Sequence, residues 1–442
     1  MNGIYLLNCT ISGIKNITNE VQLVFYKRVV NKNFNPEKYK VKAIYGENGS
    51  GKTAIITALN VAKNIFLDSD YLKQEINQRF LSEIINKKTK KFSFKAEYLY
   101  KDDENKLTIF SYHLVLKKNN VGKYEIAYEE LKEKNGNTNT NAYKNIFIVE
   151  KGMLKYVNED DRSKGIIEQN VMNLLSESSF FSALWNNVFA KDLDISIEIT
   201  RRLILACFFF VQIRVYLDQE DKHEHYFFKQ IKDNLDLNNQ KELMELFKLR
   251  KEQDAYYSSK YIDKIHVDNI KIYENKIKRM ESFVRIFKKE LKHIKVEKKQ
   301  EGKFYNCELV FAYDGYSVNR EFESTGIKKL INLFECLSAA SEGEIVFIDE
   351  MDSNINAVYL NKMIEYFMYY GKGQLCFTTH NLDPMSVLKD NKNSIEFLSS
   401  DNHLVSWKIK GNASPDNYYR NGMIEYSPFN IDSTDFIGLF EG

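Results

Sequence analysis

The sequence predicts an α/β protein that combines a mixed sheet, an antiparallel β section and a helical insert. Short, wholly apolar runs such as Ile345 to Ile348 are typical of strands buried on both faces. Residues 92–149 instead alternate in four runs separated by turn-forming residues, as antiparallel strands do. From about 165 to 295 the alternation gives way to helical spacing.

The elements are expected in the following order. Strands at 4–7, 21–26 and 41–45 precede a helix at 54–62, and four antiparallel strands occupy 92–149. After the mostly helical stretch, strands are expected at 307–314, 345–349, 374–379 and 403–409.

The helical stretch ends in an apolar seam whose steps alternate between three and four residues. Its members are Ile270, Tyr273, Ile277, Met280, Val284, Phe287, Leu291 and Ile294. The seam predicts one continuous helix of ~36 Å. An amphipathic helix lying on a domain is favoured over a short coiled-coil arm.

Composition narrows the class of protein. The chain has 442 residues, of which 43% are hydrophobic and only 4 are proline, which excludes a disordered or collagen-like chain. The net charge of +2 means that nucleic acid would be bound only through local patches. The 5 cysteines form no CxxC pair, so reduced core residues are expected, not disulfides or zinc ligands.

Neither export nor membrane insertion is expected. The N-terminus lacks the basic and apolar regions of a signal peptide. The longest apolar run, Leu203 to Val211, is much shorter than the ~20 residues of a membrane span and predicts a buried helix. A cytoplasmic protein without a membrane partner is therefore expected.

A glycine-rich loop follows the apolar run at 41–45. Residues 46–53 read GENGSGKT, which fits the GxxxxGK[ST] phosphate-binding loop in its required context between a strand and a helix. Backbone N–H groups of such a loop surround phosphate oxygens, its lysine reaches the β- and γ-phosphates, and its threonine ligates Mg²⁺. The candidate ATP-binding residues are Asn48, Gly49, Ser50, Gly51, Lys52 and Thr53.

A second motif is the apolar run at 345–348 with Asp349 and Glu350 directly after it. An acidic residue at the tip of such a strand can hold Mg²⁺, which is the Walker B role. The next carboxylate can polarise a water for attack on the γ-phosphate. An Asp-Glu pair alone is weak evidence for a Walker B motif. In a chain that also has a phosphate-binding loop and an apolar strand before the pair, the evidence is strong.

Two further segments carry polar groups at the ends of predicted elements. The strand at 374–379 ends at His380, whose ring could bond the γ-phosphate, although a lone histidine is more often structural. Ser324 and Gly326 precede a helical segment, where a hydroxyl and backbone N–H groups could bind an anion. Taken alone, Ser324 is an N-cap.

The order of these motifs resembles the ABC-type P-loop ATPase heads of the SMC/RecF/OLD group. GENGSGKT looks like that group's GxNGSGK[ST], Ser324 and Gly326 look like a degenerate signature motif, and His380 looks like the switch histidine. Residues 351–354 look like the D-loop. Similarity is greatest to the AAA-family ATPases of bacterial phage defence and abortive infection, which share an STG signature, an IDE Walker B, a TTH strand and a tail like 429–440.

The chain departs from this group in three places. It lacks the LSGGQ signature of transporters, and residues 353–358 read SNINAV where relatives often have Leu-His-Pro. No glutamine stands out as a Q-loop residue, since Gln74, Gln78 and Gln169 are unremarkable helix candidates. Residues 160–295 lie outside the resemblance.

The resemblance implies an ATPase that uses Mg²⁺ and converts ATP and water to ADP and phosphate. Its catalytic residues would be Lys52, Glu350 as general base and His380, with Thr53 and Asp349 on Mg²⁺. ATP would lie between the phosphate-binding loop of one protomer and Ser324 and Gly326 of another, which implies a homo-oligomer, either a dimer or a larger assembly. The head would comprise 1–160 and 296–442, with a helical insert or short arm at 161–295.

The favoured biological role is a sensor or scaffold in anti-phage defence that responds to a phage-encoded trigger and controls a separate effector, such as a nuclease or toxin. The 62 residues after His380 (442 − 380) are too few for the nuclease domain that OLD-type relatives add there. The alternative is a RecF/SMC-like repair ATPase that binds DNA, against which the near-neutral charge counts. The non-LSGGQ signature and the long insert disfavour a transporter subunit.

Two weaker candidates lie outside these motifs. The basic run at 87–95 could contact phosphates, but a solvated strand edge is favoured. His223, Glu224 and His225 could bind a metal, yet no third ligand is close in sequence. A Ser/His/Asp hydrolase lacks support because the chain has no GxSxG motif.

Overall fold

The computed structural model forms two compact units, one made of 1–217 and 339–442 and the other of 218–338. It confirms the predicted α/β class, with one mixed sheet and separate antiparallel sheets. The residues that it describes are 3–27, 30–31, 33–102, 104–137, 142–188, 191, 193, 195–217, 261–391, 393–408 and 414–424.

The first unit contains a mixed six-stranded sheet in the order β17-β16-β3-β15-β14-β9. Its strands are β3 (Val41–Gly46), β9 (Ile213–Tyr216), β14 (Ile345–Ile348), β15 (Gln374–Thr378), β16 (Ile395–Leu398) and β17 (Leu404–Ser406). All neighbours are parallel except β16 and β17. Every residue of β3, β14 and β15 is buried, as the continuous apolar runs predicted.

A second sheet in this unit is wholly antiparallel, in the order β2-β1-β4-β5-β6-β7-β8. Its strands are β1 (Gly3–Ser12), β2 (Val21–Val24), β4 (Lys91–Lys101), β5 (Leu107–Lys118), β6 (Tyr124–Asn135), β7 (Lys144–Glu150) and β8 (Met153–Val157). The antiparallel β section predicted from alternation is thereby confirmed. The basic run at 87–95 enters β4, where Lys91 and Lys95 are exposed. Strand β4 pairs on both sides, so the predicted strand edge is wrong.

Helix α1 (Lys52–Leu67) contacts strands of both sheets, β3 and β9 in one and β4 in the other. Its residues are buried almost all round, which is expected of a helix inside a core. Phe66 near its end stacks on Phe210, with ring centroids 4.2 Å apart, and meets Tyr112 of β5 edge-on at 5.3 Å. The phosphate-binding loop is therefore held by a helix that both sheets immobilise.

Polar groups also join the two sheets directly. The side-chain amide of Gln374 donates to the Leu6 carbonyl at 2.9 Å and accepts from the Leu6 N–H at 2.7 Å. Between β3 and β16, Lys42 and Glu396 form an ion pair of 2.5 Å that is almost fully buried. Such a pair is costly to break because either partner alone would be an uncompensated buried charge.

The remaining helices of this unit surround the sheets. They are α2 (Glu75–Ile84), α3 (Asp161–Val171), α4 (Phe180–Asn187), α5 (Ile197–Gln212), α8 (Ala357–Tyr370), α9 (Pro384–Leu388) and α10 (Pro415–Arg420), with a 3₁₀ turn at Pro36–Tyr39. Helix α5 contains the apolar run at 203–211, which confirms the predicted buried helix. All five cysteines are buried, as expected of core residues.

The second unit packs two long helices on a small antiparallel sheet. Its elements are β10 (Ile262–His266), α6 (Ile270–Phe287), β11 (His293–Glu301), β12 (Phe304–Ala312), β13 (Ser317–Asn319) and α7 (Thr325–Ser341), with 3₁₀ turns at Val267–Asn269 and Arg320–Phe322. The strand order is β10-β12-β11, and β13 pairs with β12. The buried face of α6 shares one core with Leu309 of β12 and Ile331 of α7.

The apolar seam at 270–294 proves to be two elements. Helix α6 ends at Phe287, about 27 Å long, and β11 begins at His293, so Leu291 and Ile294 do not continue the helical face. The prediction of one helix through residue 294 is therefore wrong. Ile294 faces inward from a strand, and its spacing from the preceding apolar residues continues the three-four pattern by chance. The interpretation of α6 as an amphipathic helix on a domain is confirmed.

Strands β9 and β10 lie within the stretch expected to be mostly helical. Strand β9 follows α5 without a break and pairs with β14, so a strand directly follows the helix that contains the apolar run. The division at 160 and 295 remains a sequence-based proposal. The structure itself assigns α3, α4, α5 and β9 to the first unit.

Glu129 of β6 is a buried carboxyl whose ionisation should govern part of the pH dependence of stability. It accepts from the Tyr112 hydroxyl at 2.9 Å and from the Phe180 N–H at 2.7 Å, and burial raises its pKa to about 7. A raised carboxyl pKa stabilises the fold below the unfolded-state value, and this contribution is lost as the pH rises through 7.

Glu129→Gln stays neutral at both pH values. We therefore predict that, from pH 5 to pH 8, the unfolding free energy of the wild type falls relative to that of Glu129→Gln by on the order of 2–3 kcal/mol. Urea titrations of both chains at the two pH values measure this difference. Equal pH dependence of the two chains would contradict it.

Candidate nucleotide-binding site

The glycine-rich loop, the acidic pair and His380 meet where the parallel strands of the six-stranded sheet end. Strand β3 leads into the glycine-rich loop, β14 into Asp349 and Glu350, and β15 into His380. Since β15 lies between β3 and β14, the loop and the acidic pair are two strand spacings apart, about 10 Å. The carboxyl ends of parallel strands are the usual place for a ligand site in such sheets.

The loop has the backbone conformation that its glycines predicted. Gly51 begins α1 at a φ of +110°, in the left-handed region, and no side chain caps the helix there. A Cβ on Gly46 would lie 2.4 Å from the Leu398 carbonyl oxygen, so glycine is required where β3 meets β16. The first N–H groups of α1 therefore remain available as donors for an anion.

Lys52 lies across its own loop. Its ammonium donates to the carbonyl oxygens of Gly46 at 2.7 Å and Glu47 at 2.9 Å, which leaves one of its three protons for a ligand. Burial lowers the pKa of Lys52, and nearby carboxylates, first Asp349 and then Glu350, oppose that shift. The loop lysine and the acidic pair of β14 thus belong to one electrostatic site.

The surroundings of Ser50 indicate whether the loop could hold a phosphate. Its side chain is fully buried, and its hydroxyl oxygen has no hydrogen-bond partner among the described residues. The other loop residues, Asn48 and Gly49, are exposed, and Thr53 is half-buried in the first turn of α1. A buried hydroxyl without a partner, beside free helix N–H groups and a lysine, fits a phosphate group.

Thr378 joins the ends of β14 and β15. Its hydroxyl donates to Asp349 Oδ1 at 2.6 Å and accepts from the Glu350 N–H at 2.8 Å. Asp349 is buried, and its own N–H donates to the Tyr216 carbonyl at 2.9 Å. One hydroxyl therefore orients both members of the acidic pair.

Glu350 differs from its neighbour in exposure and backbone. It is exposed, whereas Asp349 is buried, and its φ is +48°, a left-handed value that is uncommon for a glutamate. Strained residues of this kind cluster at functional sites. This backbone conformation turns the chain between the two acids, so that Asp349 is buried and Glu350 is exposed.

His380 lies at the exposed end of β15, one strand from the loop. Burial of part of the ring and the positive charge of Lys52 lower its pKa, while Asp352 and Glu350 act in the opposite direction. The imidazole is therefore neutral at pH 7 and can both donate and accept one hydrogen bond.

Ser324 and Gly326 lie in the second unit, at the start of α7. The Ser324 oxygen accepts from the Ile327 N–H at 3.3 Å, so it is an N-cap, as its position alone suggested. Its hydroxyl proton is not used in that bond, and a Cβ on Gly326 would meet nothing within 4 Å. The approach to the Gly326 backbone is therefore not blocked by another part of the structure.

Sequence reasoning missed Thr378 and the contribution of Asp352, whose charge acts on both Lys52 and His380. It also missed Asn16, whose side-chain amide donates to the Gly49 carbonyl. The β14–β15 register, which pairs Ile348 with Phe377, would have identified Thr378 as the neighbour of Asp349.

Other expectations concern metals and membranes. Within the described residues, no three His, Cys, Asp or Glu side chains are grouped as metal ligands, and no helix is long and apolar enough to span a bilayer. The candidate at 223–225 lies outside the described residues. Mg²⁺ in phosphate-transfer sites needs only one or two protein ligands besides phosphate and water, which Thr53 and Asp349 could supply.

The chain is similar to several solved structures. One is an Smc head domain with an extended coiled coil, bound to the C-terminal domain of ScpA, from Pyrococcus furiosus. It is 12% identical, with 92% of this chain and 96% of that chain covered and a TM-score of 0.41. Two are RecF structures from the RecFOR pathway: RecF-ATPrS (11% identity, 92% and 99% covered, TM-score 0.37) and RecF-ATP (12%, 92% and 100%, 0.38).

No protein-family model matches the chain, and no curated protein does.

For the ATP hydrolysis that the motifs predict, Thr378→Val should lower the rate at least ~10-fold, because valine keeps the shape but neither donates to Asp349 nor accepts from Glu350. Thr378→Ser, which keeps the hydroxyl, should retain most of the activity. Steady-state phosphate release from the three chains measures the effect. Equal rates for the wild type and the valine variant would contradict the bridging role.

Proposed function

We propose that this protein is a cytoplasmic ABC-type ATPase that binds Mg²⁺·ATP at the carboxyl edge of its six-stranded sheet and hydrolyses it to ADP and phosphate. The observation that supports this most strongly is the order β3-β15-β14. It brings the loop lysine, the strand-end histidine and the Asp-Glu pair to one edge, although they come from separate parts of the chain.

Each residue has a role in this proposal. Lys52, the N–H groups of the loop and the Ser50 hydroxyl bind the phosphates. Thr53 and the second oxygen of Asp349 would hold Mg²⁺, which would neutralise charge on the phosphates. Thr378 already occupies Asp349 Oδ1, so Oδ2 is the candidate ligand atom.

Glu350 is proposed as the general base. It is the exposed member of the pair, and the Thr378 bond to its N–H fixes the backbone that carries it. His380, neutral at pH 7, is proposed to bond the γ-phosphate. Neither Glu350 nor His380 would have to move away from the carboxyl edge of the sheet to act in this way.

Ser324 and Gly326 are proposed to complete the site of a second copy. A chain has one phosphate-binding loop and one such helix start, so two chains would form two equivalent sites about a two-fold axis. The open approach to Gly326 and the unused Ser324 proton support this proposal.

Glu350→Gln should bind ATP but hydrolyse it at least ~10²-fold more slowly, because an amide cannot accept the proton of water. In mass photometry this variant should form dimers or larger assemblies with ATP. Unchanged turnover would remove Glu350 as the base, and a strictly monomeric variant with ATP bound would contradict the shared site.

Mixing two inactive chains tests the shared site more strictly. Lys52→Ala and Ser324→Arg should each be inactive alone. Mixed together they should recover about a quarter of wild-type hydrolysis, since half of the dimers are mixed and each has one intact site. Ser282→Arg, an exposed serine of α6, is the control and should stay active. No recovery from a mixture that forms dimers would contradict the proposal.

For the biological role we propose a sensor or scaffold in anti-phage defence that controls a separate effector, such as a nuclease. Its support is the resemblance of the signature, Walker B and TTH segments to defence ATPases. Purifying the tagged chain with the products of its neighbouring genes, followed by mass spectrometry, tests this role. A stoichiometric effector is the expected result, and a partner-free chain would count against it.

One observation favours the alternative, a RecF/SMC-like repair ATPase that binds DNA. The exposed face of α6 carries Lys271, Lys278 and Arg285, each seven residues from the next. The acids of that helix are turned away, since Glu274 pairs with Lys298 and Glu281 accepts from the Ile294 N–H. Cations about 10 Å apart on one face can contact successive phosphates of a duplex.

If this face binds DNA, replacing all three cations with glutamate should weaken duplex binding equally for all sequences. The slope of the logarithm of the binding constant against the logarithm of the salt concentration should become smaller in magnitude by about 3. Lys295→Glu with Lys299→Glu on the mixed-charge face of β11 is the control. Fluorescence anisotropy at several salt concentrations measures both. Salt-dependent binding that the α6 reversal leaves unchanged would exclude this face.

A further inference from the structure

We propose that Tyr45 and Asp352 are a positioning pair for the nucleotide site. When the site closes on ATP, the Tyr45 hydroxyl donates to Asp352 Oδ1 and holds that carboxylate beside Lys52 and His380. This inference rests on the proposed function and adds to it Tyr45, which no motif assigns, and a specific contact for Asp352 of the segment that looks like the D-loop.

Tyr45 is the residue of β3 directly before Gly46. Its side chain is 1% exposed, and its ring lies 6.0 Å from that of Phe397 on β16. Its hydroxyl is buried without a hydrogen-bond partner among the described residues. A buried hydroxyl in that state costs free energy, so it needs an explanation.

Asp352 carries a buried acceptor atom that receives no hydrogen bond from the described residues. Its Oδ2 accepts from the Asn381 N–H at 3.2 Å, whereas Oδ1 is buried with no partner among the described residues. Its charge acts on Lys52 and on His380, the two cationic or potentially cationic groups of the site. A donor without an acceptor and an acceptor without a donor thus occur at one sheet edge.

The register of β3 and β15 brings the two residues together. The Thr379 N–H donates to the Ile44 carbonyl, and the Asn381 N–H donates to both Thr379 Oγ1 and Asp352 Oδ2. Asp352 is therefore bonded to the segment that pairs beside Tyr45. Consistent with this, burial and then the Asp352 charge raise the pKa of Tyr45.

The segment that carries Asp352 is built from turns. Ser353 N–H donates to the Glu350 carbonyl and Ile355 N–H to the Asp352 carbonyl, while Glu350 and Asn354 both have left-handed φ values. The N–H groups of Glu350 and Met351 both donate to Thr378, so the rotation that joins the pair is confined to the turn from Asp352 onward. Such a rotation unpairs no strand and leaves the backbone of Glu350 in place.

Asp383 is the competing acceptor, because its charge also raises the pKa of Tyr45. Asp383 is exposed, so water satisfies its carboxylate, whereas Asp352 Oδ1 is buried. Desolvated acceptors gain more from a new donor than solvated ones do. The pair is therefore assigned to Asp352.

Tyr45→Phe removes the hydroxyl and keeps the ring, so it separates positioning from packing. We expect kcat for ATP to fall about tenfold, or about 1.4 kcal/mol, with the Kd for ATP within about twofold. The melting temperature of the chain without ATP should stay the same or rise. Tyr98→Phe is the matched control, since Tyr98 also has a buried hydroxyl without a partner among the described residues, but in the antiparallel sheet.

A double-mutant cycle tests the pairing itself. Combining Tyr45→Phe with Asp352→Ala should cost little more in kcat than Asp352→Ala alone, whereas combining it with Asp383→Ala should multiply the two effects. Independent effects with Asp352→Ala, an unchanged kcat in Tyr45→Phe, or a lower melting temperature of that variant without ATP would each overturn the pair.

If the wild type binds and hydrolyses ATP while Tyr45→Phe matches it, only the pair is wrong. If the wild type does not bind ATP, the proposed function is wrong and the pair is wrong with it.

Discussion

The parallel register of β3, β15 and β14 is the constraint on which the candidate site depends. Gln374 of β15 pairs beside Ile345 of β14, and Leu375 pairs beside Val41 of β3. Because all three strands run the same way, their carboxyl ends lie at one edge, which brings together the loop after β3, the acidic pair after β14 and His380 after β15. A slip of one residue would turn each side chain to the opposite face, and Thr378 would no longer reach Asp349.

Buried polar pairs hold the body of this sheet, as Gln374 is paired with Leu6 and Lys42 with Glu396. At the carboxyl edge, Ser50, Tyr45 and Asp352 each keep a buried oxygen without a partner among the described residues. Gln212 and Ser394, directly before β9 and β16, keep such an oxygen at the opposite end, so an unpartnered atom alone does not mark the site. The three at the carboxyl edge are distinguished by their place beside the glycine-rich loop and the acidic pair, where a ligand or a small movement could satisfy them.

Much of the site was predictable because its motifs combine local pattern with chemistry. The glycine-rich loop, the apolar run before Asp349 and the strand before His380 all specify an element and its end. Thr378 and Asp352 were not predictable in the same way, since their roles depend on the register between strands distant in sequence. The end of α6 at Phe287 was missed because apolar spacing alone does not distinguish a helix from a helix followed by a strand.

Titrating Mg²⁺·ATP into the wild type and into Lys52→Ala by calorimetry tests the central claim most directly. Lys52 donates to two loop carbonyls and lies at the site's positive centre, so its loss removes a phosphate ligand and loosens the loop. The account predicts one ATP bound per wild-type chain and affinity at least ~100-fold weaker in the variant, the loss expected for a charged contact. Equal affinity in both chains, or no binding by either, would contradict it.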